Sequence, residues 1–150
     1  MATYQKILVA VDLSNESEVV LNQARLIADE EAEIHVVYVQ EPMDNVYVGI
    51  VPQSAAFSSL GDLESQLGDE LKQKLLKLGA EFGFSDDCLH ILHGSPATEI
   101  HRFAKEHDIQ LVVIGTHGQK GLQLLLGSTA NAVLHGACCD VLSVRISADH

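Results

Sequence analysis

The sequence predicts an α/β fold: one doubly wound open sheet of five mainly parallel strands, in the order 3-2-1-4-5, with helices on both faces. Short apolar runs alternate along the chain with segments of helical spacing, which is typical of a parallel sheet covered by helices. Right-handed crossover connections then leave few arrangements of the strands. A length of 150 residues indicates a single domain, residues 1–150.

The five predicted strands are mainly apolar runs of four to six residues that end at polar or turn-forming residues. Runs rich in valine, isoleucine and leucine are typical of strands that are buried on both faces. The predicted strands are Ile7–Val11, Ile34–Val39, Leu89–Leu92, Leu111–Ile114 and Val141–Ile146.

The predicted helices lie between these strands. Ser14 is expected to cap the first helix, and Ser95 followed by Pro96 opens a third that continues to about His107. A last helix runs from about Ser128 to His135 and stops at Gly136. Apolar residues recur with helical spacing in the first two helices: Val20, Leu21, Ala24, Ile27 and Ala28 in the first, and Leu63, Leu67, Leu71, Leu75 and Leu78 in the second.

Composition excludes several classes of function. The hydrophobic fraction of 47% with 20% charged residues is typical of a globular chain. The net charge of −12 opposes binding to nucleic acid, which depends on cationic contacts to phosphate, and binding to anionic membranes. No apolar run approaches the ~18 residues of a membrane-spanning helix.

The cysteines indicate a reducing compartment. Cys88, Cys138 and Cys139 are an odd number with one adjacent pair, which is a poor disulfide framework. The amino-terminal apolar run is too short for a signal peptide and ends in a charge. We therefore expect a cytoplasmic protein with reduced thiols, and we interpret Cys138 and Cys139 as small buried apolar residues.

The stretch from Leu111 to Thr129 carries the strongest signal for a ligand. A buried strand ends at Gly115, Gly118 follows three residues later, and Gly127 precedes a predicted helix start at Ser128. Glycines admit close approach of the backbone, and a helix start offers free N–H groups to phosphate. The spacing matches neither a Walker A loop nor the dinucleotide fingerprint, and a generic strand–turn–helix connection is the alternative.

Asp12 is expected to lie opposite this stretch. If strands one and four form the switch point of the sheet, their carboxyl ends at Asp12 and Gly115 border the ligand cleft. Asp12 would accept hydrogen bonds from adenine or ribose, or else act as a turn acceptor or a solvated strand end. His117 lies inside the glycine stretch and would contact the ligand or face solvent. His90 and His93 point to opposite faces of a strand, so no metal site is predicted.

Two segments together resemble one family, the universal stress proteins. KILVAVDLSNES, in which Asp12 ends the first strand, is similar to the opening of these proteins. LVVIGTHGQKGLQLLLGST is similar to their nucleotide loop, written G-x2-G-x9-G-S/T, although eight residues rather than nine separate Gly118 from Gly127. The segments HVVYV, GSPATEI and VLSVRI fit between and after them, so the resemblance covers nearly the whole chain.

The resemblance implies binding of ATP, with Mg²⁺ or Mn²⁺, by specific residues. It places Asp12 near adenine, with Ala10 and Val11 at the edge of the same pocket and the backbone of Val39 facing the base. It places Gly115 and Gly118 near ribose and phosphate, and Gly127, Ser128 and Thr129 at the phosphate-binding helix start.

Three functions are compatible with these observations. The first is a stress-response protein that binds ATP as a regulatory ligand, with slow turnover or none; no catalytic residue is assigned, and enzymatic activity is left open. The second is a dimeric interaction module of the same family that binds no nucleotide, which the shortened spacer favours. The third is an adenine-handling enzyme such as an ATP pyrophosphatase, against which the absence of glycine from Val11 to Asn15 counts.

Two further expectations concern association. Val141–Ile146 is the last strand and is expected at a sheet edge, where a second copy can pair with it around a two-fold axis. The resemblance also implies a homodimer through this strand, with a higher oligomer open; shielding by residues 147–150 is the alternative. The long connection Gln40–Ser59 is predicted to border the cleft as a lid or to contact a partner.

Overall fold

The computed structural model describes residues 4–41, 60–116 and 128–146, with the side chains of 60–64 and 128–129 left out of the description. Its sheet has five strands in the order β3-β2-β1-β4-β5, and each of the four strand pairs is parallel. The predicted fold is therefore confirmed. The strands are β1 (Lys6–Ala10), β2 (Glu33–Gln40), β3 (Leu89–His93), β4 (Leu111–Gly115) and β5 (Asp140–Val144).

Helices cover both faces of the sheet. On one face, α1 (Ser17–Ile27) and α2 (Leu60–Glu81) enclose a core that includes Leu21 and Leu75. On the other face, α3 (Pro96–Glu106) and α4 (Ser128–Gly136) enclose a second core around Phe103 and Val133. A single 3₁₀ turn at Asp86–Cys88 precedes β3.

The centre of the sheet is β1, which is buried from both sides. Ile7, Leu8 and Val9 have no exposed surface, because adjacent strand residues point to opposite faces and both faces carry helices. Ile7 and Val9 enter the core under α1 and α2, whereas Leu8 enters the core under α3 and α4. This explains why the strand reads as a continuous apolar run.

Two predicted boundaries differ from the structure by about two residues, and other strand ends differ by one. Ser14 does not cap α1: the helix begins at Ser17, after Glu16, because the Ser14 side chain is hydrogen-bonded to Asp12 instead. The last strand ends at Val144 rather than at Ile146, since the Ile146 amide donates to the side-chain oxygen of Thr116 at 3.0 Å and leaves the regular ladder.

The three cysteines are free thiols, with Cys138 exposed and Cys88 and Cys139 partly buried. The interpretation of the adjacent pair as buried residues is therefore wrong for Cys138, which lies in the turn before β5. Within the described ranges, no helix has the length and apolar character needed to cross a membrane.

Candidate functional site

The carboxyl ends of β1 and β4 lie side by side at one edge of the sheet. Ala10 at the end of β1 is in register with Ile114 of β4 on one side and with Val37 of β2 on the other. From β1 the chain winds through α1 to β2, while β4 continues the sheet in the opposite direction. Between β1 and β4 the sheet therefore has the switch point where ligands bind in folds of this class.

Asp12 is held in a tight turn just beyond β1. Its Oδ1 accepts hydrogen bonds from the Ser14 amide at 3.0 Å, from the Ser14 hydroxyl at 2.5 Å and from the Ser17 hydroxyl at 3.3 Å. The Ser14 amide closes an Asx turn, and Ser17 is almost fully buried at 1% exposure. One carboxylate oxygen thus fixes the turn. Asp12 is therefore a turn acceptor, which is one of the roles that the sequence analysis considered for it.

The turn also contains a strained backbone position. Leu13 has a φ of +63°, a left-handed conformation that is unusual for a residue with a side chain. The hydrogen bonds from Ser14 to Asp12 hold the backbone on both sides of it, and the Leu13 side chain packs against the core beneath α1. Such strain persists only where the surroundings enforce it, and it clusters at functional sites.

The neighbouring strand β2 contributes Val39 and Tyr38 to the same edge. Val39 is buried at 8% exposure in the core under α3 and α4, and Val11 extends the pairing of β1 with β2, since its amide donates to the Val37 carbonyl at 3.0 Å. Burial raises the pKa of the Tyr38 phenol, and the charges of Glu41 and Asp12 raise it further. Tyr38 therefore remains a neutral hydrogen-bonding group beside Asp12; the sequence analysis did not identify it.

Gly115 is a glycine for a packing reason that the sequence did not show. A methyl group there would lie 3.3 Å from side-chain carbons of both Val20 and Ile146. The end of β4 is thus pressed closely between α1 and the segment that follows β5. Thr116 fastens the same point, because its amide donates to the Val144 carbonyl at 2.9 Å and its side chain accepts from Ile146.

The remaining residues that were predicted to bind the ligand lie at or beyond the ends of the described ranges. α4 begins at Ser128, so the backbones of Ser128 and Thr129 form its first turn. This helix leads from the carboxyl end of β4 to the start of β5, so its amino-terminal end faces the edge that carries Asp12 and Gly115. His117, Gly118 and Gly127 lie outside the described residues, as does the segment predicted as a lid beyond Glu41.

The described part of the edge is suited to binding and shows no metal centre. No group of three or more His, Cys, Asp or Glu side chains within the described ranges converges on a metal position. Carboxylate, phenol and backbone groups near the carboxyl ends of three adjacent strands, β2, β1 and β4, provide acceptors and donors for a polar ligand. Ala10, Val11, Asp12, Val39 and Gly115 are thus brought to one edge, as the sequence analysis expected.

Comparison with known proteins agrees with this architecture. The model of the universal stress protein family matches residues 3–145. The chain is 35% identical to universal stress protein A homolog 2 of Coxiella burnetii, with 97% of this chain and 98% of that protein covered.

Solved structures show the same fold. The hypothetical protein MJ0577 superposes with a TM-score of 0.77 at 24% identity, covering 96% of this chain and 97% of its own. A universal stress protein solved in complex with cAMP superposes with a TM-score of 0.57 at 22% identity, covering 96% and 98%. With the family model matching nearly the whole sequence, this chain belongs to the universal stress protein family.

Proposed function

We propose that this protein binds ATP, with Mg²⁺ or Mn²⁺, as a regulatory ligand in the stress response. The observation that carries the proposal is the switch point between β1 and β4, where Asp12 and Gly115 meet at the edge that the start of α4 also faces. Membership of the family supports it, and a protein of the same fold was crystallised with cAMP, an adenine nucleotide. The free thiols support a cytoplasmic location.

The division of labour follows from the geometry of each part. Asp12 presents its second carboxylate oxygen, Oδ2, to the adenine amino group or to ribose, while Oδ1 holds the turn. Ala10, Val11 and Val39 line the pocket around the adenine base. Gly115 with Gly118, and Gly127 with Ser128 and Thr129, offer backbone amides and hydroxyls to ribose and phosphate, which a helix start favours.

Isothermal calorimetry with Mg-ATP tests this proposal. Asp12→Asn is the sharpest variant, because the amide oxygen still accepts from Ser14 whereas the amide nitrogen replaces an acceptor by a donor toward adenine. Loss of one ligand hydrogen bond to a charged group is expected to weaken binding roughly tenfold or more.

Asp29→Asn is the matched control. Asp29 also accepts a local backbone hydrogen bond, from Glu30 at 2.8 Å, but it follows α1 at the opposite edge of the sheet. This variant is expected to bind Mg-ATP like the wild type. Absence of heat for the wild type up to millimolar Mg-ATP would overturn the proposal, and equal binding by both variants would remove Asp12 from the adenine site.

A second function is favoured by the position of β5. This strand has β4 as its only neighbour in the described sheet, so one of its sides is available for pairing with a second copy. We propose a homodimer through this edge. If nucleotide does not bind, the protein acts as a dimeric interaction module, in line with the eight-residue spacer between Gly118 and Gly127.

A further inference from the structure

Three histidines, from β2, β3 and the end of α3, surround one phenylalanine. They lie toward the amino-terminal ends of the strands, whereas the candidate nucleotide site lies at the carboxyl ends. The ring centres of His35 on β2 and His90 on β3 are 5.2 Å apart, and that of His107, just after α3, lies 5.7 Å from His35 and 6.5 Å from His90. Phe103 stacks on His107 with ring centres 3.9 Å apart and contacts both other rings. We call these four residues the histidine cluster.

The hydrogen bonds of the cluster have a defined direction. The Glu33 carboxylate only accepts, so Nε2–H of His35 donates to it at 2.9 Å. In the neutral His35 ring the other nitrogen, Nδ1, is then an acceptor, and Nε2–H of His90 donates to it at 3.1 Å. A chain of two hydrogen bonds thus runs from His90 through His35 to Glu33 and fixes β3 to β2 through side chains.

The two hydrogen bonds of His35 and His90 are compatible with one added proton but not with two. A proton on Nδ1 of His90 leaves both hydrogen bonds in place. A second proton, on Nδ1 of His35, would set two N–H groups against each other across 3.1 Å. The bond would then break, and two cations would lie beside one another where His35 is only 12% exposed.

The Glu33 carboxylate is an opposite charge beside the rings, and solvent screens it because its side chain is 52% exposed. Glu33 of β2 accepts the hydrogen bond from His35, and Lys6 of β1 stands in register beside Glu33. On α3, Arg102 bonds to Glu99 and Glu106, and Lys105 lies in the last turn of the helix. Burial lowers the pKa of His90, and the proximity of His35 and His107 lowers it further.

His107 couples the protonation of the histidine cluster to the position of α3. Its Nδ1–H and its backbone amide both donate to the Phe103 carbonyl, each at 3.0 Å, which ties the ring to the end of the helix. Phe103 is 4% exposed and is the aromatic anchor of α3 in its core. Repulsion among the three rings therefore acts directly on the contact between α3 and strands β2 and β3.

We propose that the histidine cluster is a proton-sensitive latch, which holds the end of α3 against β2 and β3 at neutral pH and releases it on acidification. Because the pKa of His90 is lower in the folded protein than the ordinary value of 6.5, the unfolded or opened chain binds more protons as the pH falls. The stabilisation is present above about pH 6.5 and is lost as the pH falls through the folded pKa.

Urea unfolding of the full chain at pH 7.5 and at pH 5.0 tests the latch. His90→Gln keeps a donor for His35 but does not titrate, and His93→Gln on the same strand is the matched control, since His93 is exposed and points to the other face. When the unfolded chain binds one proton that the folded protein excludes, the unfolding constant rises tenfold for each unit by which the pH falls. We expect the unfolding constant of the wild type and of His93→Gln to rise more than that of His90→Gln, by up to tenfold for each pH unit over which the folded protein excludes the proton.

A second measurement keeps the test decisive if His90→Gln does not fold. Proton NMR of the wild type follows the histidine ring signals and the Phe103 ring between pH 7.5 and 5.0. We expect the Phe103 signals to shift or broaden together with the titration of the cluster. Phe103 signals that stay unchanged through that titration, or an equal pH dependence for His90→Gln and the wild type, would overturn the proposal.

Discussion

A methyl group at Gly115 would lie 3.3 Å from Val20 and from Ile146, both of them buried. Gly115→Ala therefore forces these side chains apart, and we expect a loss of about 1 kcal/mol in the free energy of unfolding. Val20→Ala in the same chain removes the Cγ2 methyl that lies 3.3 Å from the added methyl, and it should recover part of that loss. Urea denaturation of the two single variants and the double variant measures the coupling.

Additive effects of the two substitutions would contradict this packing role. Gly115 would then be free to act through its backbone alone, as the sequence suggested. If the coupling is found, the glycine is required by the fold whether or not a phosphate lies beside it. Glycine at this position is consequently weak evidence for a ligand when it is taken without the rest of the loop.

The adjacent cysteines should differ in reactivity. Burial raises the pKa of the Cys139 thiol to about 11, so at pH 8 only about one molecule in a thousand carries the reactive thiolate. Cys138 is exposed and is expected to react with iodoacetamide first. Fragment mass spectrometry locates the label, and Cys138→Ser should leave Cys139 almost unmodified; rapid labelling of Cys139 in that variant would contradict the prediction.

Some residues at the site were predictable because they adjoin a strand end in sequence. Asp12 and Gly115 follow apolar runs directly, and parallel topology brings such ends together. Tyr38 was not identified, since its proximity to Asp12 depends on how β2 pairs with β1. The same holds for the pairing of His35 with His90, 55 positions apart in sequence, which is set by the register of β2 and β3.

At the scale of elements, β5 determines how a dimer would form. Asp140 donates its amide to the Gln110 carbonyl, and Val144 accepts from the Thr116 amide, so both turn their backbone groups toward β4. Because strand residues alternate, Val141 and Ser143 turn theirs away from β4. Ser143→Pro removes an outward N–H without disturbing β4, and we expect it to convert a dimer into a monomer, as measured by light scattering.

The other outer strand of the sheet, β3, provides the control for this variant. Gly94 donates its amide to Gln40 of β2, so His93 turns its own amide outward from β3. His93→Pro should leave the molecular mass unchanged. A wild-type mass of one chain at tens of micromolar protein would refute the dimer, and a dimer that persists in Ser143→Pro would move the interface away from β5. A proline at Val144 would instead damage the ladder with β4.

Strand boundaries were predictable within one or two residues because each strand is a mainly apolar run that ends at polar or turn-forming residues. The start of α1 was less predictable. Ser14 has the composition of a helix cap, but Asp12 competes for its hydroxyl and amide. Local side-chain competition of this kind depends on the turn geometry around Leu13, which no pattern of residue types specifies.

For the molecule as a whole, the net charge of −12 opposes association of two copies. Salt screens such repulsion over about 10 Å at 0.1 M, so the dimer should tighten when the salt concentration rises from 50 to 300 mM. Sedimentation equilibrium at the two salt concentrations measures the dissociation constant. A dimer that weakens with salt would indicate an interface held by ion pairs rather than by backbone pairing and apolar contact.

The strand order has a consequence for how the chain reaches its folded state. Of the five strands of the sheet, β1 is synthesised before the other four and lies at the centre, and its pairing with β4 joins Ile7 to Leu111, which are 104 positions apart. Closing so long a span carries an entropic cost that local contacts do not. When only β1, β2 and β3 of a nascent chain have emerged from the ribosome, one side of β1, the most apolar of the three, is therefore unpaired. Although β1 comes before the other strands in the sequence, its pairing is among the last to be completed.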